Sequence, residues 1–505
     1  MVEAMSERPR VPKIRLRDCN QAPVNERGEF VLYWMIAFRR LESNFGLQRA
    51  IEWAIELQKP LVIFEPLRIG YRWASDRIHR FVIDGMADNA ARIASKRNPG
   101  ILYYPYVEPK PDADKGLLLA LSRHACVIVT DDFPSFFVPR MVAAIAPRLP
   151  VRLEQVDSNG LLPLRATDRV FTTAFSFRAY LQKELRHHLA EFPLADPLAR
   201  VKLPPIKSLP SKITRQWPAV SAALLRGDPR ELARFEIDHS VTALDDRGGA
   251  VEARRRLRTF LDRHLERYFE VANEPDEDAR SGLSPYLHFG HISAHQLFEQ
   301  VMEREAWEPG RLSKKSGGKR EGWWNVSPGG ESWLDEFITW REIGYNMSSK
   351  CPDYDQYESL PDWAQTTLKK HARDPRPHVY SLDELASAQT HDALWNAAQT
   401  QLLREGRIHN YLRMLWGKKI LEWSWSPREA LEVMVELNNR YAIDGRNPNS
   451  YSGIFWVLGR YDRPWGPERP IFGTVRYMSS ENTRKKLHVD EYLRRYSQRD
   501  TLLSR

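Results

Sequence analysis

Glu336 and Trp340, in WLDEFITWREIGYN (333–346), put a carboxylate and an indole one helical turn apart on one face. Such a pair is either an ordinary surface contact or part of a pocket that stacks and hydrogen-bonds a planar ring. In RSGLSPYLHFGHIS (280–293), Ser281 and Ser284 precede Pro285 and a helical stretch. Free N–H groups at a helix start, with hydroxyl donors beside them, suit a phosphate or pyrophosphate. The same pattern is also a plain N-cap with proline in the first turn. In AIDGRNPNSYSGIFW (442–456), Asp444-Gly445 and the Asn-Pro-Asn run read as a structured turn, with Trp456 shortly after. RIHNYLRMLWGKKILEWSW (407–425) has apolar residues at helical spacing and no proline, yet it carries His409, Asn410, Arg413 and three tryptophans. That is more polar character than a core helix needs, and on its own the indole row reads as a packed stripe.

The elements that must position these residues fall into two styles. FVLYWM (30–35), PLVIFEP (60–66), ILYYPY (101–106), ACVIVTDD (125–132) and VRLEQVD (151–157) read as buried parallel strands. Amphipathic segments near 45–58, 77–96, 114–123 and 136–147 separate them, so a doubly wound α/β parallel-sheet domain is predicted over 28–160. No GxGxxG follows the first strand, which argues against a dinucleotide-binding Rossmann site. Residues 161–235 lose the rhythm, and the Pro, Lys and Ser-rich LPPIKSLPSKITRQWP (203–218) reads as part of an interdomain linker. From 236 to 498 the pattern is helical. One glycine-rich basic loop interrupts it, EPGRLSKKSGGKREGWWNVSPGG (308–330), read either as a solvated surface loop or as a contact with a nucleic-acid backbone.

Composition narrows the function classes. The 505 residues are 42% hydrophobic and include no apolar run of the roughly 18 to 20 residues that a membrane span needs. The N-terminus is polar and basic, without the apolar core of a secretory signal. Cys19, Cys126 and Cys351 are far apart and form no zinc spacing, so reduced thiols, no metal and a cytoplasmic location are expected. The formal net charge of +9 favours a polyanionic partner.

Several long blocks resemble the photolyase/cryptochrome family, and within it the class II cyclobutane pyrimidine dimer photolyases. They are VLYWM, LPDWAQTTLKKHA (360–372), YSLDELASAQTHDALWNAAQ (380–399), RMLWGKKILEW (413–423), LNNRYAIDGRNPNSY (437–451) and ERPIFGTVRYM (468–478), in order and spacing over about 28–495. The resemblance implies an α/β antenna domain and an all-α C-terminal catalytic domain that binds FAD. It implies light-dependent repair: reduced FAD, excited by blue light, passes an electron to a flipped cyclobutane dimer and the ring splits. A cryptochrome-like photoreceptor without repair, and a (6-4) photoproduct enzyme with His409 as one candidate histidine, are the alternatives.

By the same resemblance Tyr268, Ser281 and Ser284 would meet the FAD phosphates. Arg413 and Asp444 would lie beside the isoalloxazine, with Asn438 near its N5 and Asn410 beside the pocket. Trp395, Trp416 and Trp423 would form the electron-transfer chain that reduces the flavin under light. Trp340 and Trp456 would wall the flipped lesion, with Met414 as an apolar contact and Glu336 as the polar reader. Arg476, Arg484, Lys485 and Lys486 would touch the backbone of UV-damaged DNA. A monomer is expected, with an antenna chromophore of the 8-hydroxy-5-deazaflavin or folate type as a further possible cofactor. Two positions depart from the class: Asn410 stands where it usually carries glycine, and Asn447 where it usually carries aspartate.

Overall fold

The computed structural model describes residues 9–277 and 279–497; the readings placed on the first eight residues and on 498–505 lie outside them. The chain forms two compact units that interleave in sequence. One comprises Met1–Thr167, Leu185–Arg258 and Gly282–Arg304, the other Asp168–Glu184, Thr259–Ser281 and Glu305–Arg505. No described helix is long and apolar enough to cross a membrane.

The first unit is built on six strands: β1 Leu16–Asp18, β2 Phe30–Trp34, β3 Leu61–Leu67, β4 Ile101–Val107, β5 Ala125–Asp131 and β6 Leu153–Val156. Their order in the sheet is β1-β6-β5-β2-β3-β4. β2 to β6 pair in parallel, with Tyr33 opposite Ile63 on one side and Val129 on the other. The chain thus winds outward from β2 in both directions, as the alternating pattern predicts. Both faces of such a sheet are covered, which is why its strands read as unbroken apolar runs. Helix α1, Phe45–Glu56, lays Leu47, Ala50, Ile51 and Ala54 on Val31, Tyr33, Ile63 and Val129. Helix α2, Asp76–Lys96, packs Val82, Ile83 and Met86 with Leu67 and Val107.

The stretch 161–235, expected to be a linker, supplies core to this unit. Leu198, Val201 and Leu203 join the first cluster, and Leu224, Leu232 and Phe235 join the second. The strand β1 was not anticipated. Its three residues LRD carry no apolar alternation, and it pairs antiparallel with β6 at the sheet edge. Its anchor is the preceding Arg15, which is fully buried. The guanidinium donates to the Leu161 carbonyl at 2.8 Å and the Gly160 carbonyl at 3.2 Å, and lies 3.8 Å from the Asp157 carboxylate.

The second unit is helical. Its centre is built from Arg341–Lys350, Ala393–Glu405, Asn410–Trp423, Pro427–Tyr441 and Pro448–Val457. Gly417, the only glycine in the 407–425 stretch, lies at a close approach of three of them. A Cβ there would stand 2.5 Å from Val457 Cγ2 and 3.0 Å from Met434 Sδ, so three helices meet where a side chain is missing.

Removing Arg15 tests how far the sheet edge depends on it. Arg15→Ala leaves Asp157 buried without its cation, which costs about 3–5 kcal/mol. The expected readout is a lower denaturant midpoint for the α/β unit. An unchanged midpoint would mean that β1 and its anchor are dispensable.

Candidate functional site

The helical unit gathers an unusual number of charged groups in its interior. Glu336 and Arg413 are enclosed by protein at longer range, yet both keep some accessible surface, the mark of groups that line a recess. Burial is the largest influence on each. It lowers the Arg413 pKa, with the Asp444 charge next and opposing it, then Arg280, then Glu336. It raises the Glu336 pKa, with Arg280 as the first opposing charge and Asp335, Arg320 and Arg413 following. Tyr268 feels the same neighbours: burial pushes its hydroxyl up to about 12, with Arg280 opposing the rise and Glu336 adding to it. Tyr268, Arg280, Glu336, Arg413 and Asp444 therefore form one electrostatic cluster.

Each member is placed by a local feature. Glu336 and Trp340 lie on Asp335–Trp340, a π-helical turn between two α-helices. Such a turn adds a residue to the helix and is common at functional sites. Asp335 beside Glu336 is held by both arms of Arg178, at 2.7 and 3.0 Å, and by Arg320 at 3.3 Å. Arg413 donates to Asn410 Oδ1 at 2.9 Å, so the asparagine at the class-departing position is its hydrogen-bond partner. Gly453 on Pro448–Val457 faces Arg413: a Cβ there would touch the guanidinium at 3.8 Å.

The Asp444 turn is organised by Arg446, fully buried with φ +72. Its guanidinium donates to the carbonyls of Asn439, Ala442 and Ile443, which satisfies the open end of Pro427–Tyr441. Asn447 caps the next helix by accepting from Ser450 N at 2.8 Å. Asparagine and aspartate cap about equally well, so this departure keeps the turn. Asn438 donates to Ser450 Oγ at 2.6 Å.

Some polar atoms in this region have no partner. Nε of Arg413, Nε of Arg280 and both ring nitrogens of His409 make no hydrogen bond of normal geometry. Burial, then Arg280, drives the His409 pKa down to about 2, so its imidazole is neutral. Unsatisfied buried donors are expensive, and a group that accepts from them would be held firmly.

The indoles form a continuous series. Trp395 and Trp416 stack at 6.5 Å with planes 3° apart, and Trp395 meets Trp423 edge-on at 5.5 Å. Trp416 Nε1 is fixed by Gln399 at 2.9 Å and Trp395 Nε1 by the Trp416 carbonyl at 3.0 Å. Trp423 is 2% exposed, so it is not itself a surface group. Tyr380 and His391 lie against it at 5.3 and 5.4 Å, while Trp425 is 70% exposed and outside the series.

Trp340, Met414 and Trp456 are half-buried, as walls of a recess would be. The Trp456 ring lies between Lys418 Nζ at 5.2 Å and the Arg476 guanidinium at 5.4 Å. Arg476 also stacks on Trp465 at 4.0 Å and pairs with Asp462 at 3.0 Å. Lys485 pairs with Glu481 at 2.5 Å, and Lys486 lies over Tyr411. Ser281 falls in this unit and Ser284 in the first, where it starts the short helix Ser284–His288 without capping it through a side chain. Arg280, Arg446 and Lys418 were missed by sequence reasoning. Only Arg280 carried a signal, as the first residue of the RSGLSP stretch.

Lys418 is fully buried and donates to the Val457 carbonyl at 2.6 Å. Burial takes its ammonium down to about 7, with Asp462 opposing and Arg476 adding to the fall. The unfolded chain holds that proton up to about pH 10.4, so between pH 7 and 10 stability rises with pH, by on the order of 4 kcal/mol in all. Lys418→Met should remove this slope and be the more stable protein at pH 7, with the gap closing toward pH 10. Denaturation midpoints from pH 6 to 10 check this, and a variant less stable than the parent at pH 7 would contradict it.

No family model matches the chain. A deoxyribodipyrimidine photo-lyase from Methanothermobacter thermautotrophicus is 34% identical over 482 residues, covering 95% of this chain and 97% of that protein. A protein of the same name from Potorous tridactylus is 31% identical over 97% of this chain and 85% of its own length. Cryptochrome-2 of Gallus gallus matches a shorter stretch, 33% identical over 37% of this chain and 30% of that protein. A bacterial class III photolyase structure from Agrobacterium tumefaciens has the same fold, with a TM-score of 0.62 over 93% of this chain and 86% of that one at 16% identity. Identity is sustained over nearly the whole of both chains only with the photolyases among these relatives, and the chain belongs to the photolyase/cryptochrome family as a relative of the deoxyribodipyrimidine photolyases.

Proposed function

We propose that the protein is a light-dependent DNA repair enzyme of the class II type, which holds FAD in its helical unit and acts on cyclobutane pyrimidine dimers. The observation that carries this reading is the cluster around Arg413: buried charge, partnerless donors, an indole series and half-buried aromatic walls in one helical unit. The unsatisfied Nε atoms of Arg280 and Arg413 fit an anionic cofactor, because a buried guanidinium is stable only when paired. When bound, reduced FAD supplies the photoexcited electron that opens the dimer.

The chain's own residues have separable tasks in this reading. Arg413 and Asp444 bracket the flavin ring and Asn438 presents its amide to it. Tyr268 and Ser281 receive the phosphates. Asn410 holds Arg413 in one orientation, where a glycine would leave that atom without a partner. Trp416, Trp395 and Trp423 relay electrons inward to oxidised cofactor. A lesion must leave the base stack to reach a buried site, and Trp340, Trp456 and Met414 give it apolar walls. Glu336, its carboxyl pushed toward the protonated form by burial, can then donate to a base carbonyl. A light-harvesting chromophore of the 8-hydroxy-5-deazaflavin or folate type in the α/β unit would add an absorption band beyond that of the flavin.

The direct test is repair of oligonucleotides that carry one defined lesion, a cyclobutane dimer or a (6-4) photoproduct, with and without blue light. Light-dependent loss of the cyclobutane dimer alone is expected. Flavin photoreduction without repair of either lesion would favour a photoreceptor.

Trp340→Ala should weaken binding to dimer-containing DNA by about 1–3 kcal/mol, the worth of one stacked base. Binding to undamaged DNA, which is backbone electrostatics, should barely change. Equal losses on both DNAs would remove Trp340 from the lesion pocket.

Trp395→Phe interrupts the indole series at its middle and keeps an aromatic in place. Light-driven reduction of oxidised flavin should slow sharply, while chemically pre-reduced enzyme should repair as the parent does. Loss of repair in the pre-reduced variant would make the indole structural.

A further inference from the structure

Apart from Arg320, the 308–330 loop is not used by the site described above, yet it is far more ordered than its composition suggests. Ser313 N–H donates to the Trp323 carbonyl at 2.9 Å and closes a loop over the intervening residues. Trp323 and Trp324 are buried at its base, 4.4 Å apart, so they anchor the loop and are not stacking platforms. The buried side chain of Gln182 grips the far end. Its amide donates to the Lys319 carbonyl at 2.8 Å, and its oxygen accepts from Gly318 N–H at 2.8 Å. Ser316 Oγ donates to the Gln182 carbonyl at 3.2 Å. Arg320 then reaches Asp335, the residue before Glu336.

What this scaffold displays is charge. Lys314, Lys315 and Lys319 are exposed, and none makes an ion pair among the described residues. Glu308 and Glu321 are the loop's only acids, and Arg320 is already committed to Asp335. Of the other basic residues expected at the DNA, Arg476 pairs with Asp462 and Lys485 with Glu481, Lys486 lies over Tyr411, and Arg484 makes no ion pair among the described residues. Three unpaired ammonium groups on a backbone pinned at both ends form a preorganised anion-binding surface, tied by Arg320 to the turn that carries Glu336 and Trp340.

We infer that this loop is a brace for the DNA phosphate backbone, in which Lys314, Lys315 and Lys319 each contact a phosphate beside the flipped lesion. The inference rests on the DNA-repair reading. Phosphate contacts fix position without reading sequence, as a repair enzyme requires. Each contact releases counterions, so the logarithm of affinity falls with the logarithm of salt concentration by about 0.9 per phosphate on duplex DNA.

The experiment compares duplex oligonucleotides with and without a cyclobutane dimer, titrated over a range of salt. The triple variant Lys314→Ala, Lys315→Ala, Lys319→Ala should lose affinity equally on both DNAs and lower the salt slope by about 2.7. A control triple variant of exposed lysines in the other unit, Lys202→Ala, Lys207→Ala, Lys212→Ala, should leave the slope as in the parent. Gln182→Ala keeps every charge but frees the loop, and should weaken binding with the slope retained. An unchanged slope in the first variant overturns the brace, as does an equal fall in the control or a loss confined to damaged DNA. If the parent binds neither DNA, the repair reading itself fails, and the brace with it.

Discussion

A guanidinium buried in a helical core is the constraint around which this unit is arranged. Arg413 cannot shed its proton, and taking its charge out of water is tolerable only if opposite charge and hydrogen-bond acceptors come with it. The neighbourhood answers in part. Asp444 supplies negative charge, Asn410 takes one N–H, and Gly453 leaves room for the planar head. It also stops short, because Nε has no acceptor and Arg280 adds a second cation nearby. A protein optimised only for stability would not keep such an incomplete arrangement. The shortfall is the physical argument for a ligand.

Rigidity around that charge comes from elements that have no contact with it. Arg446 closes the end of Pro427–Tyr441 and so sets where Asp444 emerges. Arg178 and Arg320 clamp Asp335 and so set the π-turn of Glu336 and Trp340. Arg446 and Arg178, both buried, spend their several donors on backbone or carboxylate oxygens, which a lysine could not match in geometry.

The parallel strands were legible in the sequence because strands covered on both faces need no polar alternation. β1 was not, since three residues without apolar pattern form a strand only when a distant loop holds Arg15. The 161–235 stretch was misread for a related reason: its scattered leucines carry no period, but they cover a sheet defined elsewhere. At the candidate site, Arg413, Asp444 and the indoles were given roles only because long blocks around them carry the resemblance. The π-turn was invisible because an added residue in a helix changes hydrogen bonding without changing composition. Lys418 was read past, since its burial depends on Trp456 and Val457 from another helix. The paired tryptophans of the 308–330 loop suggested exposure by their basic surroundings, and packing put them inside.

The two cations around Trp456 bear on which indoles can lose an electron. Removing one from an indole leaves a positive radical, and a neighbouring positive charge makes that state harder to reach. Arg476 is always charged, and Lys418 adds to it whenever protonated, so Trp456 is a poor reductant while remaining a good stacking surface. Over Trp395 and Trp416 no cation lies among the described residues, and the Lys419 ammonium over Trp423 is offset by Glu422 at 2.9 Å and Asp392 at 3.7 Å. The protein thus carries chemically identical side chains with unequal ionisation energies. Charge placement sets Trp456 apart from Trp395, Trp416 and Trp423 in how readily each could be oxidised.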